Sequence, residues 1–190
     1  MEPNEPLLRE AGQRSEYLRP RDLVSLVERH VGDGGGVTRA AVDVHVEALA
    51  ERGSHVDADS FGAALAEATT RSREWVDDRA VYEVDDHHLS AYPAAWHAAL
   101  DGTETLPELV RFLVERTAYT PVEAGAGDGV PEADLLDVAA AVVDVDREEA
   151  KVELEACRED GRLVQDADQH PEANVYLPDG DHGQQQDPDL

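Results

Sequence analysis

Between Thr105 and Pro178 the apolar residues change their repeat in a fixed order, and that order limits what the chain can fold into. Thr105 and Glu108 have capping-box spacing, and Leu106, Leu109, Val110, Leu113 and Val114 form one helical stripe. Residues 121–129 hold three glycines and a proline and predict a loop. Pro131 suits the first turn of a second helix, because the amide it lacks has no partner there. Leu135, Val138, Ala139, Val142 and Val143 give that helix its buried face. Asp146 and Glu149 repeat the cap spacing ahead of a third helix, whose apolar positions are Ala150, Leu154 and Cys157 and which Gly161 stops. The period then shortens. Leu163 and Val164 predict a strand, the polar stretch 166–174 with Pro171 a turn, and Val175 to Leu177 a return strand closed by Pro178. Three short helices leave apolar surface uncovered, and a ribbon on one edge completes such a core.

The stretch from Arg19 to Pro93 follows the same order. Pro20 opens a helix with Leu23, Leu26, Val27 and Val31 on one side, and Gly32 to Gly36 interrupt it. That glycine run does not match a phosphate-binding loop, since no strand precedes it and no lysine follows, so a flexible connector is expected. Val37, Ala41, Val44, Ala48 and Leu49 mark a second helix ending at Gly53. Asp57 or Asp59 caps a third, with Phe61, Leu65, Ala68, Ser72, Trp75 and Val76 along one side. Val81, Tyr82 and Val84 predict a strand, 85–87 a turn, and Leu89 to Tyr92 the return. Ala94 to Leu100, with Trp96, predicts a helix packed between the two units.

The segments GVPEADLL, DREEAKVELEACREDGRLVQ and VYL, spread over Val130 to Leu177, resemble winged-helix domains of haloarchaeal type, including those attached to archaeal replication proteins. The resemblance implies a mainly α fold with small β-ribbons, arranged as two tandem winged-helix-like domains. The expected divisions are a flexible arm at 1–18, an N-terminal winged-helix-like domain at 19–93, a linker helix at 94–104, a C-terminal winged-helix domain at 105–178 and a disordered tail at 179–190.

Charge bears on partners. The chain carries 43 acidic and 16 basic residues, a formal −27, and its one lysine is Lys151. Dense carboxylates with few lysines and few aromatics resemble proteins of salt-in halophilic archaea, where they hold water and cations around the surface. No apolar run is long enough to span a bilayer and no basic-then-apolar leader opens the chain, so a cytoplasmic protein is expected. Cys157 is the single cysteine, which excludes an internal disulfide and a cysteine zinc site.

No catalytic constellation emerges, and the chain reads as a binding protein without cofactor or metal. His87 and His88 adjoin Asp85 and Asp86, but neighbours on a strand point to opposite faces, so a solvated turn is expected. His45 and His97 read as surface or boundary residues on helices. A winged helix places its third helix in the major groove and its wing on phosphates, which calls for cations and forked donors. Residues 1–80 hold ten arginines and 16 acids; residues 81–190 hold six basic residues and 27 acids. The first unit is therefore the better DNA reader, through Thr69, Thr70, Arg71, Arg73 and Arg79 at the end of its third helix. The third helix of the second unit carries Glu148, Glu149, Glu153, Glu155 and Glu159, and suits a protein partner or a second copy, through Arg147, Lys151, Leu154 and Arg158. Two functions follow as expectations: a dimeric DNA-binding transcriptional regulator, or an adaptor docking proteins in a replication, segregation or transcription complex.

Overall fold

The computed structural model describes residues 2–14, 16–32, 34–103, 105–117, 129–166 and 173–178. The loop expected at 121–129 lies outside these residues except for Gly129. So does most of the expected turn at 166–174, and so does the whole tail at 179–190.

The expected loose arm is instead helix α1, Glu5–Gln13. Leu7, Leu8 and Ala11 are buried on one side of it. Pro6 falls in the first turn, where no helical amide bond is lost. The side chain of Asn4 caps it, accepting the Leu7 amide at 3.0 Å. The helix lies on His45, which is fully buried rather than at the surface. The Asn4 amide donates to His45 Nε2 at 3.1 Å, so the ring proton sits on Nδ1 and is given to the Ala41 carbonyl at 2.7 Å. Asn4→Ala removes the cap acceptor and is expected to lower unfolding free energy by about 1 kcal/mol in urea titrations. A change near zero would show that the Asn4 cap does not help to hold α1.

Helix α2, Pro20–Val31, begins at the expected proline and buries Leu23, Val24, Leu26 and Val27. A two-residue strand β1, Val37–Thr38, precedes α3, Arg39–Glu51. The second helix therefore starts two residues after Val37, and its buried side is Ala41, Val42, His45, Val46 and Leu49, not the stripe through Val44. Thr38 caps it through the Ala41 amide. The glycine connector is a fitted crossing: Gly36 has φ +85°, and a Cβ there would stand 2.8 Å from the Leu89 carbonyl oxygen. Only glycine lets the chain pass there.

Helix α4, Ala58–Ala68, is capped by Asp57. It ends earlier than its apolar spacing suggests. Thr69 and Thr70 form strand β2, followed by β3, Val81–Glu83, and β4, His88–Ser90. The sheet order is β1-β4-β3-β2, with β2 parallel to β3 and the other pairs antiparallel. Two β-branched residues favour the extended backbone, and Thr69 Oγ1 donates to the Leu65 carbonyl at 2.6 Å, closing the helix end.

Helix α5, Ala94–Leu100, leads to α6, Leu106–Arg116. The capping box at Thr105 does not form. Its hydroxyl donates to Glu108 at 2.9 Å, and the Leu106 amide is taken by Glu153 at 2.9 Å. Then come β5, Val130–Pro131, α7, Glu132–Val142, α8, Arg147–Glu159, β6, Val164–Gln165, and β7, Asn174–Tyr176. Asp146 caps α8 as its spacing predicts. The three strands order β5-β7-β6, all antiparallel. The protein is thus mainly helical with two small sheets, and both halves contain the order helix, strand, helix, helix, strand, strand, the first half with α1 ahead of it and β2 as an extra strand, the second with α5 ahead of it. In each half the first strand pairs with the last.

Two apolar cores result. One gathers α1 to α4 with Val37, Val81 and Leu89. The other gathers α5 to α8 with Val130, Leu163 and Val175. Ala91 and Tyr92, assigned by the sequence to the first unit, pack in the second core. Trp96 on α5 stacks on Trp75 at 5.5 Å and on Tyr92 at 5.6 Å, and meets Phe112 of α6 edge-on at 5.9 Å. The Arg21 guanidinium of α2 lies over both Trp75 and Tyr92. Arg29 of α2 reaches Glu10 at 2.6 Å and Asp137 of α7 at 3.4 Å. The two halves are therefore joined by buried aromatic and ionic contacts, not by the linker alone.

Candidate interaction faces

The residues assigned to DNA do not share a helix. Thr69 and Thr70 lie in β2, and Arg71 begins an ordered loop running to Ala80. Ser72 and Asp77 organise that loop: the Ser72 hydroxyl donates to the Glu74 carbonyl, and Asp77 accepts the Arg79 and Ala80 amides. The Val76 amide donates to the Tyr82 hydroxyl at 2.8 Å. The loop lays Trp75 against Trp96, which explains why its apolar spacing outlasts the helix.

Thr69, Thr70 and Arg71 do line one open cleft of about 590 Å³, together with Arg39, Glu83, Asp85, Asp86, His87 and His88. Arg73 and Arg79 are exposed but do not line it. Each arginine of the cleft has a carboxylate partner: Arg71 pairs with Glu83, and Arg39 with Asp43 at 2.9 Å. His88 Nδ1 stands 2.9 Å from Asp85, whose carboxylate also accepts the His87 and His88 amides. Those amides and the His88 side chain hold Asp85 below the usual carboxylate range. Three acids facing two arginines make a poor seat for phosphate. Among the described residues, no group of three or more His, Cys, Asp or Glu side chains is placed to hold a metal ion.

Helix α4 itself contains no lysine, arginine or histidine. Its exposed positions are Asp59, Ser60, Ala63, Ala64, Ala66 and Glu67. A helix presenting these side chains brings no cation to a phosphate and no forked donor to guanine, and its only side-chain donor is the Ser60 hydroxyl.

The partner set on α8 is also rearranged. Leu154 is fully buried between Ala150 and Cys157, so it belongs to the core and cannot touch a partner. Arg147 turns inward onto Asp137, which it shares with Arg29. Burial pushes the Arg147 guanidinium pKa down, and Arg29 adds to that effect. Lys151 is held by Glu132 at 2.6 Å and Glu155 at 3.3 Å, and Arg158 pairs with Glu155 at 2.8 Å. The spacing of Leu154 with Ala150 and Cys157 already marked it as core. Assigning it to a partner mixed the two sides of one helix.

Facing outward on α8 are Glu148, Glu149, Val152, Glu155, Ala156 and Glu159. The sequence reading passed over Val152, which is 71 % exposed. A valine among glutamates midway between buried positions was the available signal. Cys157 is buried, and burial pushes its thiol pKa up, away from the thiolate.

Among the described residues no helix is long and apolar enough to cross a membrane. Comparison with protein-family models, with curated proteins and with solved structures finds no match to this chain.

Proposed function

We propose that this chain is a tandem winged-helix protein acting as a docking adaptor in a larger protein assembly. The winged-helix reading is supported by the element order, which recurs in both halves, and by the pairing of first strand with last in both sheets. One observation favours docking over DNA reading. In both halves the third helix turns an acidic or neutral face outward, α4 without any cation and α8 with its three cations tied to carboxylates. At a formal −27, the whole chain also repels a polyanion at long range. Joining the halves through α2, α5 and α7 fixes the two outward faces relative to each other, which suits a scaffold.

The test is fluorescence anisotropy of a labelled random-sequence duplex titrated with the full chain, from roughly 0.1 to 2 M KCl. The expected result is no saturable binding at any salt. Binding that disappears in the Arg71→Glu, Arg73→Glu double variant would overturn the adaptor reading in favour of a DNA-binding regulator. Affinity capture with nuclease-treated lysate of a halophilic host is the positive arm, and a stoichiometric protein partner is expected.

A further inference from the structure

Among the described residues, four large apolar side chains are exposed: Tyr17, Val76, Val152 and Val164. Two of them, at 71 % and 47 %, lie on consecutive elements, α8 and β6. At about 100° per residue, Val152 is about 200° round the helix from both Ala150 and Leu154, so it points away from the core. Ala156, four residues on, lies on the same side and is exposed. Glu148 and Glu149 stand one turn before Val152, and Glu159 one turn after Ala156. None of these three glutamates has an ion-pair partner among the described residues. The outward face of α8 thus carries Val152 and Ala156, with Glu155 beside them held by Lys151 and Arg158, and at both ends carboxylates without an ion-pair partner among the described residues.

We infer that this face is the docking site for a cationic amphipathic helix of a partner protein. The inference rests on the adaptor reading above and names its partner's chemistry. Charge selects the occupant. A second copy of this chain brings the same glutamates and a formal −27, and nucleic acid brings phosphates, so both place like charges together. A helix with apolar residues at i and i+4 covers Val152 and Ala156, and its flanking arginines or lysines reach Glu148, Glu149 and Glu159. At molar salt the screening length is about 3 Å, so only charges in direct contact still attract. Apolar burial then carries the binding, and this makes Val152 the position on which the site depends.

The experiment uses the full chain in roughly 2 M KCl, where loose ionic attraction is screened. The probe is a fluorescent helical peptide of leucine and arginine with leucines at i, i+3 and i+4. Its control has the same charge, with serines in place of the leucines. Wild type is expected to bind the leucine peptide at least about tenfold more tightly than the serine peptide. Val152→Glu is expected to weaken the leucine peptide by about tenfold, and Glu149→Arg by less, since at this salt only charges in direct contact attract. Ala63→Glu, on the outward face of α4, should leave it unchanged. Circular dichroism confirms that the exposed substitutions leave the fold intact. Equal binding of the two peptides, or equal binding by wild type and Val152→Glu, overturns the docking site. Retention of duplex DNA under the same conditions overturns the adaptor reading itself. Failure of the peptide without DNA retention removes only the site.

Discussion

Replacing Trp96 with alanine is expected to lower the unfolding free energy by about 4 kcal/mol, the range for deleting a buried tryptophan. Trp96 is 3 % exposed and is packed by residues from both halves: Trp75 from the loop after β2, Tyr92 ahead of α5 and Phe112 on α6. Removing the indole opens a cavity and dismantles a stack that also seats the Arg21 guanidinium. The second consequence concerns cooperativity. Wild type is expected to unfold in urea as one transition, because the seam between the halves is buried. In Trp96→Ala the halves are expected to separate into two transitions, visible as a lower slope by circular dichroism. A loss below about 1 kcal/mol with unchanged slope would mean that the aromatic seam does not couple the halves.

The second large effect concerns Glu28 of α2. It is 3 % exposed, and its Oε2 accepts the Ala91 amide at 2.9 Å. Its Oε1 is buried without a hydrogen-bond partner among the described residues. Burial pushes the carboxyl up to about 7, against the opposing pull of the Ser90 hydroxyl, the Ala91 amide and Arg21. Nearby, His97 Nδ1 donates to the Gly34 carbonyl at 2.9 Å and Nε2 meets the Ser90 hydroxyl at 2.9 Å. Burial lowers the pKa of that histidine. The folded state therefore holds a proton on Glu28 that the unfolded state releases near pH 4.5. The stabilisation is fully present below the unfolded pKa and is lost as pH rises through the folded value of about 7. The difference corresponds to about 3 kcal/mol at alkaline pH. Glu28→Gln mimics the protonated acid and carries no such slope. Stability measured against pH for both proteins, and subtracted, cancels the titration of the other carboxylates. The difference curve is expected to rise in favour of Glu28→Gln between about pH 4.5 and 7 and to be flat above about 8. A flat curve throughout would place Glu28 in contact with water.

The helices were legible in the sequence because their signals are local. Pro20, Asp57, Asp146, Gly53 and Gly161 act within a turn of where they stand, and each marks an end the structure keeps. The candidate sites were less legible, because a binding face depends on which side of a helix the rest of the chain covers. Leu154 and Val152 are two residues apart and lie on opposite sides of α8.

By itself the sequence determined the mainly helical class, the recurrence of helices followed by a ribbon and the acidic charge balance, since each follows from residue identity and short-range spacing. The tertiary structure decided what depends on distant partners. Strands β1 and β5 are two residues long and exist only because β4 and β7 pair with them. Helix α1 is held by the buried ring of His45, 41 residues from Asn4. Helix α4 stops at Ala68 because Thr69 and Thr70 find β3. Of the arginines reserved for partners, Arg71, Arg147 and Arg158 were taken up by carboxylates, and one of these, Asp137, is shared with Arg29 across the seam, while Arg73 and Arg79 stay exposed. A charge is free or bound according to what folding brings beside it, and no local spacing records that.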